Sequence, residues 1–309
     1  MTVRSAVDLS VDLGFLRLKN PVLAASGTFG YGPEFEPFLD PGRLGGFVVK
    51  GLHFDPRPGN PPPRLAETPS GLINAVGLQG VGVASFCEKT LPRLRGYKTA
   101  VIVNVCGADT EEYVRVVEYL DGHEGIAAYE LNISCPNVKA GGACPAQSPA
   151  ATRKVVAAVK KRSRRPVITK LSPNVTDVAA VAAAAEEAGT DAVSLVNTFL
   201  AMAVDVETRR PKVANVYGGL SGPAIRPIAL RMVHQTASRV RIPVIGLGGI
   251  ATASDALEFL IAGARAVQVG TAGLVDPRAA LDIIDGLEEY CRRHSLQRLS
   301  EICGTIDVR

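Results

Sequence analysis

The sequence predicts an α/β fold, a closed (β/α)8 TIM barrel with long loop excursions at the C-terminal face of its sheet. Three observations predict it. Eight short runs rich in Val, Ile and Leu alternate with helical segments. Those runs are apolar almost throughout, as in parallel strands covered on both faces. A length of 309 residues suits a barrel, whereas an open doubly wound sheet would not normally need eight β/α units.

The first strand is expected at 21–25, ending in Ser26-Gly27-Thr28, and the second at 46–50. The third, 100–105, is broken by Cys106-Gly107. The fourth is 126–131, the fifth 167–171 and the sixth 192–196. The seventh, 243–247, ends in Gly248-Gly249, and the eighth, 266–269, in Gly270-Thr271. Between them, Thr110 precedes Glu111-Glu112 and an apolar stripe at Val114, Val117 and Leu120, a capped helix start. Residues 149–162 are Ala/Val/Lys-rich. Thr176 is read as the cap of a helix running to Ala188 and stopping at Gly189. Helices at 224–239, 253–262 and 278–294 complete the set. Two stretches break the rhythm, 52–98 with its prolines and 198–221 with Tyr217-Gly218-Gly219. Both follow strands, where lids and substrate loops belong. No linker divides the chain, so residues 1–309 read as one domain.

Composition excludes several classes. The chain is 47% hydrophobic, enough for a large core, with a formal net charge of only +4. Lys and Arg are scattered. The one dense run, 160–165, reads as a solvated helix end, so nucleic-acid binding is not suggested. The six cysteines (87, 106, 135, 144, 291, 303) form no CxxC pair, and their spacing fits neither zinc nor iron–sulfur ligation. Reduced thiols of a cytoplasmic enzyme are expected. No uncharged apolar run reaches the roughly 20 residues of a membrane span, and no metal-ligand cluster is visible. His53, after the second strand, could serve as a ligand or base, but reads rather as a single exposed loop histidine.

The strand ends carry the chemistry. They leave Ser26, Lys50-Gly51, Asn104, Asn132, Lys170, Asn197-Thr198, Gly248-Gly249 and Gly270-Thr271 at one face. A lysine ending an apolar strand is costly unless it meets an anion; the alternative is a structural lysine capping the barrel. Glycine turns after strands seven and eight fit a phosphate site. After strand four, Asn132-Ile133-Ser134-Cys135-Pro136-Asn137 opens into glycines. Cys135 is a loop thiol able to act as a base once deprotonated, or a packing residue. Carboxylate pairs are missing, which excludes ordinary glycosidase chemistry. Amides and lysines around a planar, phosphate-bearing group suit flavin mononucleotide.

These motifs, with Gly59-Asn60-Pro61-Pro62-Pro63-Arg64, Asn74-Ala75-Val76-Gly77-Leu78-Gln79, Lys170-Leu171-Ser172-Pro173-Asn174 and Gly219-Leu220-Ser221-Gly222-Pro223, run through nearly the whole chain. The sequence resembles the class 1 dihydroorotate dehydrogenases, most closely the class 1B catalytic subunit. That resemblance implies one FMN per chain, held by Ser26, Lys50, Gly51, Asn104, Asn132, Lys170, Val196, Gly222, Gly248, Gly249, Gly270 and Thr271. It implies dihydroorotate held by Lys50, Asn74, Ala75, Val76, Gly77, Leu78, Asn132, Asn197 and Thr198, with Cys135 as the catalytic base. It further implies oxidation to orotate in pyrimidine biosynthesis. Electrons would reach NAD⁺ through a separate subunit carrying FAD and a 2Fe–2S cluster, in a heterotetramer built on a homodimer. A class 1A-like homodimer using fumarate, an FMN barrel acting on dihydropyrimidines, and a barrel retained only for binding are the alternatives. The chain departs from the family pattern at Gly80-Val81 and in its tail, 303–309.

Overall fold

A computed structural model describes residues 7–134 and 144–308. The eight expected runs form one closed parallel barrel: β1 (Val22–Ala24), β2 (Gly46–Leu52), β3 (Ala100–Val105), β4 (Ala128–Asn132), β5 (Val167–Lys170), β6 (Ala192–Leu195), β7 (Val244–Leu247) and β8 (Ala266–Val269). Each pairs with the next in sequence, and β8 closes on β1 through Val267↔Val22 and its neighbours. β2 runs two residues past the expected end, with a register shift between Val49 and Leu52.

Side chains alternate in and out along each strand. One residue per strand, Leu23, Val48, Ile102, Ala128, Ile168, Ala192, Ile245 and Ala266, meets in an apolar interior cluster. It packs against Val11, Leu13 and Leu18 of a short N-terminal hairpin, Val11–Asp12 paired with Arg17–Leu18. The intervening residues face outward into the larger core shared with the helices, which includes Phe47, Tyr129 and Phe259. Two residues further along the strands stand Ala25, Lys50, Asn104, Glu130, Lys170, Ser194, Leu247 and Gln268. The next interior layer is therefore largely polar, and it floors the open end of the barrel.

Among the described residues seven helices follow the strands: α1 (Thr110–Asp121), α2 (Pro149–Lys160), α3 (Val178–Glu187), α4 (Arg226–Ala237), α5 (Ala253–Ile261), the single turn α6 (Ala272–Val275) and α7 (Ala279–Arg293). A broken helical stretch, 83–94, stands between β2 and β3. Two caps differ from the sequence reading. Asp109, not Thr110, caps α1, accepting from the Glu112 amide at 2.8 Å. Asp177, not Thr176, caps α3, accepting from Ala180 at 3.0 Å. In both, a carboxylate at the positive helix end outcompetes the neighbouring hydroxyl, contributing about 1 kcal/mol. The basic run 160–165 is not simply solvated either. Arg165 is largely buried, bonding Asp121 Oδ1 at 2.8 Å and the Tyr129 hydroxyl at 3.1 Å, and Lys160 meets Asp191 at 2.6 Å.

The two excursions join as a second sheet. Phe199–Ala201, Gly218–Ser221, Gly71–Asn74 and Leu65–Thr68 form four antiparallel strands in that order. The register Gly219↔Asn74 and Ser221↔Leu72 brings segments nearly 150 positions apart side by side. Ala66, Ile73, Ala75 and Val213 make a small core of their own beneath it. No helix among the described residues is long and apolar enough to cross a membrane.

Candidate active site

A cavity of about 480 Å³ opens where the strand ends meet the second sheet, within the usual range for a small-molecule site. It is lined by Ser26, Lys50, Gly51, Asn132, Lys170, Val196, Gly222, Gly248, Gly249, Gly270 and Thr271 of the expected cofactor set. Asn74, Val76, Gly77, Leu78, Asn197 and Thr198 of the expected substrate set line it too. Two expected residues do not. Asn104 is fully buried in the polar layer below, and Ala75 is buried in the small core of the second sheet. Cys135 lies outside the described residues.

The glycine end of the cavity is shaped by close backbone approach. Gly248 and Gly249 leave β7 with φ of 131° and 75°, conformations that L side chains rarely adopt. A Cβ at Gly249 would stand 2.8 Å from both Arg226 Cβ and the Gly222 carbonyl; one at Gly248 would stand 2.6 Å from Ala229 Cβ. The turn is held from behind by a capping box between Thr252 and Asp255, and Asp255 also pairs with Arg226. Thr271 Oγ1 donates to Ser221 Oγ at 2.8 Å, tying the β8 turn to the second sheet.

The floor holds a residue that motif reading missed. Glu130 is fully buried inside the barrel. Its Oε1 accepts from Asn104 Nδ2 at 2.8 Å and Lys170 Nζ at 3.4 Å; its Oε2 accepts from Ser194 Oγ at 2.9 Å and Gln268 Nε2 at 2.7 Å. A buried carboxylate survives only with such company. The signal was present in the strand period: each of the five residues lies two positions beyond an interior apolar one. Among the described residues Gln268 Oε1 is buried without a partner, and Gln268 lines the cavity.

From the floor, amides climb toward the loop after β4. Asn132 Nδ2 donates to Asn104 Oδ1 at 3.2 Å, Ser134 Oγ to Asn132 Oδ1 at 3.2 Å, and Asn197 Nδ2 to Ser134 Oγ at 2.9 Å. On the other wall, the segment 74–79 is strapped to 59–64. Asn60 donates its backbone N–H to Val76 O and its amide to Ala75 O, both at 3.0 Å, and Arg64 Nη1 bonds Gln79 Oε1 at 2.6 Å. Burial pushes the Lys50 ammonium below the ordinary lysine range; Arg64 pushes the same way and Glu34 opposes it. No side-chain hydrogen bond or ion pair is made by Lys50 among the described residues, so its charge is available to an anion.

His53 is not an exposed loop residue. It is buried, and its Nδ1 meets Glu112 Oε1 at 3.0 Å. The carboxylate sits in the first turn of α1, where it also accepts from the amides of Phe54 and Ala108. Burial holds the imidazole below the ordinary histidine range, against the pull of Glu112. His53 does not line the cavity; it fastens the exit of β2 to α1.

Comparison with known proteins agrees with this architecture. The family model described as dihydroorotate dehydrogenase matches residues 8–291. The chain is 52% identical to the dihydroorotate dehydrogenase B (NAD⁺) catalytic subunit of Bacteroides thetaiotaomicron, over 97% of this chain and 99% of the relative. It is 55% identical to a putative dihydroorotate dehydrogenase A (fumarate) of Solibacter usitatus, over 94% and 96%. The crystal structure of a dihydroorotate dehydrogenase of Eimeria tenella, solved with ferulenol, has the same fold, with a TM-score of 0.81 at 21% identity over 99% of this chain and 90% of the other. Eight strands in one barrel, the glycine turns and the match over nearly the whole length lead to one assignment: the chain belongs to the dihydroorotate dehydrogenase family.

Proposed function

We propose that residues 1–309 form one FMN-binding barrel domain that oxidises (S)-dihydroorotate to orotate in de novo pyrimidine biosynthesis. The observation that carries this reading is the cavity itself. Two lysines and a ladder of amides converge below a glycine cradle, in a chain matched along nearly its whole length by the dihydroorotate dehydrogenase model.

The donor set suits FMN. Gly222, Gly248 and Gly249 offer backbone N–H groups where no Cβ would fit, and the Gly270-Thr271 turn adds to them, as a phosphate needs. The orphaned acceptor Gln268 Oε1 suits an N–H of a ring. Ser26, Lys50, Gly51, Asn132, Lys170 and Val196 would frame that ring, with Asn104 supporting Asn132 from below. FMN, when bound, supplies the two-electron acceptor that the oxidation needs.

The chain's own residues do the rest. Lys50 supplies positive charge for the substrate carboxylate. Asn74, Val76, Gly77, Leu78, Asn132, Asn197 and Thr198 hold the planar ring by paired donors and acceptors, with Ala75 supporting them from behind. Cys135 takes the proton from carbon 5 as general base. The second sheet keeps water from the reacting edge.

The acceptor is NAD⁺, reached through a separate subunit carrying FAD and a 2Fe–2S cluster. This chain, a homodimer within a cytoplasmic heterotetramer, carries only the FMN. The names of several relatives near 52% identity support that choice. A fumarate-dependent enzyme is the second reading, favoured by the Solibacter relative. Orotate formation by the FMN-loaded chain separates them. NAD⁺ is expected to support turnover only when the electron-transfer subunit is added, and fumarate not at all. Turnover with fumarate by the chain alone selects the second reading. Turnover of dihydrouracil in place of dihydroorotate would reject both.

A further inference from the structure

Glu130 stands at the foot of a hydrogen-bonded chain with one direction. All four of its partners donate to it: Asn104, Lys170, Ser194 and Gln268. An ionised carboxylate has no hydrogen to give. Asn104 must therefore turn its NH2 toward Glu130, which leaves Oδ1 facing Asn132. Asn132 then presents Nδ2 to Asn104, and its Oδ1 receives the Ser134 hydroxyl. With its hydrogen committed, Ser134 accepts from Asn197 Nδ2, and Asn197 Oδ1 receives the Thr198 amide. An asparagine amide has nearly the same shape either way round, so only its partners fix which end is which. Here the senses of Asn104 and Asn132 follow from one buried charge, with the Cys106 thiol donating to the same Asn104 Oδ1, while Asn197 is set by the Thr198 N–H, which can only donate.

Resting on the dihydroorotate reading above, we infer that Glu130 is a positioning residue that sets the donor–acceptor sense of the cavity-lining amide Asn132, beside the independently fixed Asn197. The ring these amides would hold has an ordered edge of N–H and C=O groups. A reversed amide would set donor against donor and acceptor against acceptor, which costs more than losing the bond. The same carboxylate partners Lys170, so its removal also leaves that ammonium uncompensated.

The test measures orotate affinity and flavin reduction potential on the FMN-loaded protein. Glu130→Gln keeps the shape and lets position 130 donate, so Asn104 is free to turn over. Orotate affinity is expected to fall roughly tenfold or more. The flavin potential is expected to rise, because the positive charge of Lys170 is no longer offset. The double variant Glu130→Gln/Asn104→Asp moves the carboxylate one step up the chain. The carboxylate now at position 104 accepts from the amide introduced at position 130 below it and from Asn132 above it. The double variant is expected to restore most of the orotate affinity, which a merely structural loss would not allow.

Failure of the double variant to recover, or a Glu130→Gln protein that binds orotate as the wild type does, overturns the inference alone. A wild-type protein that binds no orotate overturns the functional reading and this with it. Should Glu130→Gln not fold, Asn104→Leu cuts the chain between Glu130 and Asn132 with the charge in place. Weaker orotate binding at an unchanged potential then supports the inference, and unchanged binding overturns it.

Discussion

Lys50 and Lys170 stand at the same depth of the barrel interior with different surroundings. Lys170 gives one N–H to Glu130, whereas Lys50 pairs with no carboxylate among the described residues and feels Arg64 nearby, opposed by the weaker pull of Glu34. If Lys50 binds the substrate carboxylate, its protonated form is the one that binds. Raising the pH removes that proton, and burial lets it go at a lower pH than for an ordinary lysine. Orotate affinity should therefore fall as pH rises through that depressed value. Lys50→Met should abolish this alkaline limb and weaken binding at neutral pH by about tenfold or more; titrating orotate across pH checks both. Cys135 carries a different load. As the base, its replacement in Cys135→Ser should slow flavin reduction by about 10²–10⁴-fold while orotate still binds. Stopped-flow absorbance measures the first and equilibrium titration the second.

At the scale of elements, the turns after β7 and β8 matter most. Gly249→Ala forces a side chain into the left-handed region at about 1–2 kcal/mol and against Arg226 and Gly222. The variant is expected to melt at lower temperature and to purify with less FMN than the wild type. Calorimetry and the ratio of flavin to protein absorbance test this. The eight strands and these turns were legible because they are local: apolar runs of four to six residues punctuated by glycine. The second sheet was not, since its short strands lie in the two long excursions and pair across nearly 150 positions. The caps at Asp109 and Asp177 were missed by one residue because Thr and Asp both suit that position, and only backbone geometry chooses between them. His53 was misjudged for a similar reason. Its partner, Glu112, comes from a helix 59 positions away.

For the whole molecule, the barrel decides what a polar residue means. A Glu in the middle of an apolar strand signals little until closure brings β3, β5, β6 and β8 around it. Asn104, Glu130, Lys170, Ser194 and Gln268 are each visible in the sequence as the second step past an apolar interior residue. What the sequence does not display is that all five meet. Nearly all the site residues named from the sequence line the cavity, because strand ends and family motifs mark them one at a time; apolar lining residues such as Leu65, Leu72 and Leu274 carry no such mark. Asn104 and Ala75 turned out to support the cavity from below and behind.

The most direct test of the proposed activity is anaerobic. The purified, FMN-loaded chain is mixed with dihydroorotate and its visible spectrum followed with no acceptor present. Loss of the flavin absorbance, with one orotate formed per flavin, is the expected result. A flavin that stays oxidised in the presence of dihydroorotate, or a chain that cannot be loaded with FMN, would contradict it.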